Sequence, residues 1–258
     1  MSLCYYFVHL DTHQCNKSIH DSRHLLLCMA PVKFVSDTRS KGEKVDVKRD
    51  LEKIFEDFRW TIKGIVDKNR KIHPIPKIPQ VVTGIFELFG KEKIIQLAKK
   101  KYQCKIIEGG SREYPDITLF GGRLGRKKIA VEIKTARRDP ERPGRTSRMS
   151  LGSCAGYFLH PNKKMAGCRF PYGSYSEHWV VGCIYDWDES ADSLGMVSNV
   201  EVIVHPKWKI ASRSTATGDT AAIGSIVDIS DLRGGKGEFA SEKEFEDYWR
   251  NRGSRYQR

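Results

Sequence analysis

The stretch YPDITLFGGRLGRKKIAVEIKTA, residues 114–136, decides the reading of this chain. It holds two strand-like runs, DITLF and KIAVEIK, separated by the Gly-rich, basic turn GGRLGRK. Side chains alternate along a strand, so Ile129, Val131 and Ile133 share one face while Glu132 and Lys134 share the other. The apolar face suits packing against a helix. If the two runs pair across the turn, Asp116 at the start of the first lies beside Glu132 toward the end of the second. Two carboxylates and an ammonium then converge on one face of a sheet.

Carboxylates held close repel each other, and their oxygens make a hard site suited to Mg²⁺, which keeps several of its own waters. Such a cation can acidify water and stabilise charge growing on a phosphate, while a lysine beside it orients the water or neutralises that charge. The chemistry is phosphodiester hydrolysis. A Pro-Asp followed by Glu-x-Lys also arises on an ordinary solvated edge strand, so the motif draws its weight from its strand context and from the charge of the chain.

That charge is strongly basic: Lys and Arg number 45 against 32 Asp and Glu, a formal net charge of +13 with a pI near 9.4. That balance favours a polyanionic partner, nucleic acid first, although a merely basic soluble protein has the same charge. With 258 residues, 39% of them hydrophobic, the chain can bury the core of one fairly large domain. Its seven cysteines are odd in number, irregularly spaced and without a CxxC pair, which argues against a disulfide framework or zinc ribbon and for a reduced, cytoplasmic setting. No apolar run approaches a membrane span, and no membrane partner is expected.

Residues 1–44 lack periodicity and read as an N-terminal extension, either disordered or upstream of a true start at Met29. His9, His13, Cys15, His20, His24 and Cys28 fall there, but at spacings that match no common zinc site. From residue 45 the pattern becomes regular. VKRDLEKIFEDFRWTI spaces Leu51, Ile54, Phe55 and Phe58 as a helix does, IKGIVDKNRKIHPI predicts two short strands about a DKN turn, and PIPKIP breaks the chain. A second helix over VVTGIFELFGKEKIIQLAKKK presents Val81, Ile85, Phe89, Ile94, Ile95 and Ala98. KIIEGG, HWVVGCIYDW, VEVIVHPKWKIAS and IGSIVDI add strands, RRDPERPGRTSR (137–148) is a basic loop, and SEKEFEDYWRN opens a last helix on a Ser241/Glu244 capping box. The order predicts a mixed α/β (α+β) domain over 45–258 with a central sheet flanked by helices.

YPDITLF and KKIAVEIKT, together with GIFELF (84–89), HWVVGCIY (178–185), IGSI (223–226) and GKGEFASEKEFEDYWRN (235–251), come in the same order as in the EcoRV-type type II restriction endonucleases of the PD-(D/E)xK nuclease superfamily. The chain resembles that family over roughly residues 46–251. The resemblance implies a restriction-endonuclease-like core with a central mixed sheet, a small dimerisation subdomain at about 59–80, and a Mg²⁺-dependent homodimer. Such a dimer cuts both strands of a palindromic double-stranded DNA site of about six base pairs, leaving blunt ends. Asp116 and Glu132 would be metal ligands, Glu132 standing where the family's type member has Asp. Lys134 would be the catalytic lysine, and Glu87 in GIFELF a third acidic residue that assists the metal.

By the same resemblance, STATGDTAA (214–222) is a major-groove recognition loop, with Thr217, Gly218, Asp219, Thr220 and Ala222 facing bases. Asp219 stands where the type member has Asn, and a carboxylate only accepts hydrogen bonds, as from cytosine N4. GGSRE (109–113) is a minor-groove loop in which Ser111 and Arg112 face DNA. Two other readings stand beside this one: a repair or structure-directed nuclease of the same superfamily, and a DNA-binding protein that does not cut.

Overall fold

A computed structural model describes residues 45–110, 112–218 and 220–256. The readings made for residues 1–44, Ser111 and Asp219 lie outside the described residues.

The first element among the described residues is α1 (Val47–Phe55), capped by Asp46, whose carboxylate accepts the Arg49 N–H at 3.1 Å. Val47, Leu51 and Phe55 are buried at helical spacing, and Phe58 continues their cluster. The predicted hairpin follows as β1 (Ile65–Val66) and β2 (Ile72–His73), with Ile65, Val66 and Ile72 exposed. The long helix α2 (Pro79–Leu97) starts on a proline, whose missing N–H costs nothing in the first turn, and runs into a π-helical turn through Tyr102.

The buried row of α2 corrects the expected one. Val82, Phe86, Gly90, Ile94 and Ala98, spaced every fourth residue, face the core, whereas Val81 and Ile85 lie on the flank and Phe89 is 37% exposed. The reason is Gly90: a Cβ there would come 2.8 Å from Ile133 Cδ1, so the absence of a side chain brings helix and sheet together and sets the phase of the helix.

The remaining elements are β3 (Lys105–Glu108), β4 (Ile117–Phe120), β5 (Lys128–Arg137), β6 (Ser150–Ser153), α3 (Cys154–Tyr157), β7 (Glu177–Trp187), β8 (Val197–Pro206), β9 (Ala211–Thr215), β10 (Ala222–Ser225), α4 (Ile229–Gly234) and α5 (Glu242–Gly253). The short β6, α3 and α4 were not expected from the sequence. Five strands form a mixed sheet in the order β3-β4-β5-β7-β8, in which β5 and β7 are parallel and the other neighbours antiparallel. A second, antiparallel sheet has the order β6-β10-β9.

The alternation read in IAVEIK separates two cores. Ile129, Val131 and Ile133 pack with Leu51, Phe86 and Ile94 of the two long helices. On the opposite face Ala130 and Ala136 join Val180, Ile184, Leu151, Ile223, Phe245 and Trp249, under the small sheet and α5. The large sheet is therefore covered on both faces, and polar side chains of β5 on the second face are enclosed. Among the described residues the cysteines are free, and no helix is long and apolar enough to cross a membrane.

Candidate active site

Strands β4 and β5 pair antiparallel with Ile117 opposite Val131. Asp116, one residue before, and Glu132, one residue after, therefore face each other. The Ile133 N–H donates to Asp116 Oδ2 at 2.7 Å, which fixes one carboxylate oxygen and leaves the other for the cleft. Lys134, two residues along the same face of β5, brings Nζ to 3.0 Å from Glu132 Oε1. The three residues predicted to converge do so, and all three line a cleft of about 690 Å³ together with Glu87, Lys91, Arg112 and Tyr157.

Burial is the largest influence on Asp116; with the negative charges of Glu132 and Glu87 it outweighs Lys134 and the backbone N–H, and the carboxyl is pushed up to about 6. Glu132 behaves differently. Burial alone would raise its carboxyl, yet the two ammonium groups beside it prevail and hold it below the ordinary value.

The second of those ammonium groups belongs to Lys207, which sequence reading missed. It lies on a short 3₁₀ turn after β8, is only 1% exposed, and places Nζ 3.0 Å from Glu132 Oε2 and 3.9 Å from the centre of the Tyr114 ring. The orientation gives an ion pair without an aligned hydrogen bond, so the buried Oε2 retains unused acceptor capacity. Around the pair stand Tyr114, Tyr157, Tyr172 and His178; the Tyr114 hydroxyl and His178 Nδ1 are 2.5 Å apart, and burial, then Lys207, keeps His178 well below its usual range and neutral. The sequence signal for Lys207 was a lysine, one of two with Lys209, in the largely apolar run VEVIVHPKWKI.

Glu87 reaches the cleft from α2, bound at 2.5 Å to Lys91 one turn on. Glu87 sits half-buried on the flank of the helix, beside the exposed Leu88. Among the described residues no group of three or more His, Cys, Asp or Glu side chains stands close enough to hold a metal ion by itself, while the charge of Glu87 bears on Asp116 in the same cleft.

The two candidate reading loops lie apart in sequence. Arg112, in left-handed backbone at φ 62°, lines the cleft beside Gly109 and Gly110. Thr217, Gly218 and Thr220 are exposed on the turn joining β9 to β10. Ala222 is not on that turn; it opens β10, and its carbonyl accepts the Ala216 N–H at 2.9 Å. In the 137–148 loop, Arg138 is bound to Asp186 and Glu201, Arg142 to Asp139, and Arg148 to Ser212 and the Ser225 carbonyl. A larger cleft, about 850 Å³, adjoins that loop, and its arginines are matched by Asp139, Asp186 and Glu189.

Over most of its length the chain is similar to known proteins. The family model described as Restriction endonuclease EcoRV matches residues 56–257. The type II restriction enzyme EcoRV of Escherichia coli is 31% identical over 210 residues, covering 76% of this chain and 84% of that protein. A match over this much of the domain shows that the chain belongs to the EcoRV family of type II restriction endonucleases.

Proposed function

We propose that this endonuclease acts as a homodimer that hydrolyses one phosphodiester bond in each strand of a short palindromic duplex, of about six base pairs, leaving blunt ends and using Mg²⁺. The observation that carries the reading is Asp116 opposite Glu132 with Lys134 Nζ 3.0 Å from the glutamate. The donor set suits Mg²⁺: two carboxylates face each other with open cleft on one side, for an ion that takes one or two carboxylates together with water and phosphate oxygens. Asp116 and Glu132 would hold it, with Glu87 assisting from across the cleft; when bound it supplies positive charge against a phosphate and acidifies water.

The protein's own groups have separable tasks. Lys134 points its ammonium into the cleft, where it orients the attacking water and offsets charge on the phosphate. Lys207 keeps Glu132 ionised although it is enclosed. Asp116 is a competent anionic ligand above about pH 6, where its carboxyl has released its proton. Thr217, Gly218, Asp219 and Thr220 read the major groove, and Ser111 with Arg112 the minor groove. Ala222, bonded within its sheet, acts by supporting that turn.

Support for the dimer comes from the β1–β2 hairpin, which exposes Ile65, Val66 and Ile72, with Ile78 beyond it, while Ile75 stays buried and bonded through its N–H to Ser193 Oγ at 2.8 Å. A rigidly held hairpin with an apolar outer surface fits a dimerisation subdomain at 59–80.

Digestion of plasmid DNA with Mg²⁺, followed by sequencing of the fragment ends, tests the whole reading. Discrete palindromic sites with flush ends are expected, and Asp116→Ala, Glu132→Gln and Lys134→Ala should each abolish cutting. Asp219→Asn should change which sites are cut. Cleavage at branched or damaged structures irrespective of sequence would favour a repair nuclease instead, and binding without any cutting a non-cleaving role.

A further inference from the structure

We infer that Arg213 and Tyr248 form a clamp that sets the position of the base-reading turn, and so act as positioning residues for sequence discrimination. The inference rests on the proposed role of residues 216–221 in reading DNA.

Strand β9 leads directly into that turn and lies at the edge of its sheet, with β10 its only strand neighbour among the described residues. An edge strand leaves N–H and C=O groups without ladder partners. Here the C-terminal segment takes them up: the Gly237 N–H donates to the Lys209 carbonyl at 2.7 Å, and the Glu238 N–H to the Ala211 carbonyl at 3.0 Å. At Arg213 the backbone contacts pass to side chains. The Arg213 N–H donates to Glu238 Oε2 at 2.6 Å, and the Tyr248 hydroxyl donates to the Arg213 carbonyl at 2.7 Å.

The Arg213 side chain completes the attachment. Its guanidinium lies 4.8 Å from the centre of the Phe239 ring and 5.1 Å from that of Tyr248, and it pairs with Glu244. Glu244 is also part of the start of α5, receiving the Ala240 N–H at 2.8 Å while its own N–H donates to Ser241 Oγ at 3.2 Å. The root of the turn is thereby fastened to a helix packed in the core through Phe245 and Trp249. Within the turn, Thr215 Oγ1 donates to the Gly218 carbonyl and the Ala222 N–H to Thr220 Oγ1 at 3.3 Å, and Thr217, Gly218 and Thr220 are exposed. Base contacts from such a turn depend on where its root is held, because a misplacement near 1 Å can cost a factor of about 100 in rate.

Two variants test the clamp. Tyr248→Phe removes one hydroxyl and keeps the ring; Arg213→Met removes the charge and the pairing with Glu244. The measured quantity is the ratio of kcat/KM on a duplex carrying the cleavage site identified from fragment ends to that on duplexes with one base pair changed. In either variant the ratio should fall by about tenfold through a loss of rate on the intact site, with the thermal unfolding midpoint and the rate on the altered duplexes changed far less. An unchanged ratio in both variants, or equal losses on every duplex, overturns the clamp alone. A parent enzyme without site preference overturns the clamp together with the reading of the turn.

Discussion

Replacing Lys207 by methionine isolates the least exposed charge in the site. The variant keeps most of the side chain's volume among Tyr114, Tyr157 and Tyr172 but strips Glu132 of one of its two cations. At 3.0 Å and an effective dielectric near 20, the Coulomb attraction removed is roughly 5 kcal/mol. Desolvation of the ammonium, no longer needed, returns part of this, and Lys134 still holds Oε1. Removing one partner of a buried pair costs about 3–5 kcal/mol, and the surviving Lys134 contact puts the expectation near the lower figure. Urea unfolding of the metal-free protein measures it, with Glu132→Gln and the double variant completing a cycle. Glu132→Gln alone strands the buried Lys207, so the double variant should be more stable than the sum of the single losses predicts by about 2 kcal/mol. A loss below about 1 kcal/mol for Lys207→Met, or strictly additive losses, would refute the pairing as the reason this lysine is buried.

Asp116, with its carboxyl raised to about 6 from 3.8, binds its proton more tightly folded than unfolded. Stability of the metal-free protein should therefore fall as pH rises through that interval, by up to about 3 kcal/mol, and Asp116→Asn should remove the fall; parallel pH curves for parent and variant would contradict it. Gly90→Ala sets a helix-propensity gain of at most about 1 kcal/mol against an overpacking cost of about 1–3 kcal/mol where the new Cβ meets Ile133. Net destabilisation in thermal unfolding is expected, and a stabilised variant would show that α2 is not seated on β5 through this glycine. Ile72→Asp should yield monomers by sedimentation and lose double-strand cutting, and an intact dimer would exclude the hairpin as the interface. Ser241→Ala should cost about 1 kcal/mol by removing the hydroxyl that accepts the Glu244 N–H, measured as a lowered unfolding midpoint.

What could be read from the sequence was whatever depends on local period. Alternation in IAVEIK separates Glu132 and Lys134 from Ile129, Val131 and Ile133, and the β4–β5 register then brings Asp116 opposite Glu132 without any further information. The phase of α2 escaped because it is decided by a partner: Gly90 looks like a gap in a helical stripe, yet it is where Ile133 makes its closest approach. Lys207 escaped for a related reason. Its neighbours in space, Glu132 and Tyr114, are remote along the chain, and a lysine in an apolar run can equally snorkel to water. Only the folded arrangement makes it a counter-ion. The same holds for Arg213, where nothing in ASRST distinguishes a surface arginine from one that ties an edge strand to α5. Residues whose role lies in their own strand or helix are thus visible before folding, whereas those that act by compensating a charge or an unpaired backbone group of another element become visible only with it. In this enzyme the second class surrounds the first: Lys207 behind Glu132, Lys91 beside Glu87, and Arg213 beneath the reading turn. Substitutions in that outer ring should therefore alter the metal affinity, pH response and site discrimination proposed above while leaving Asp116, Glu132 and Lys134 in place.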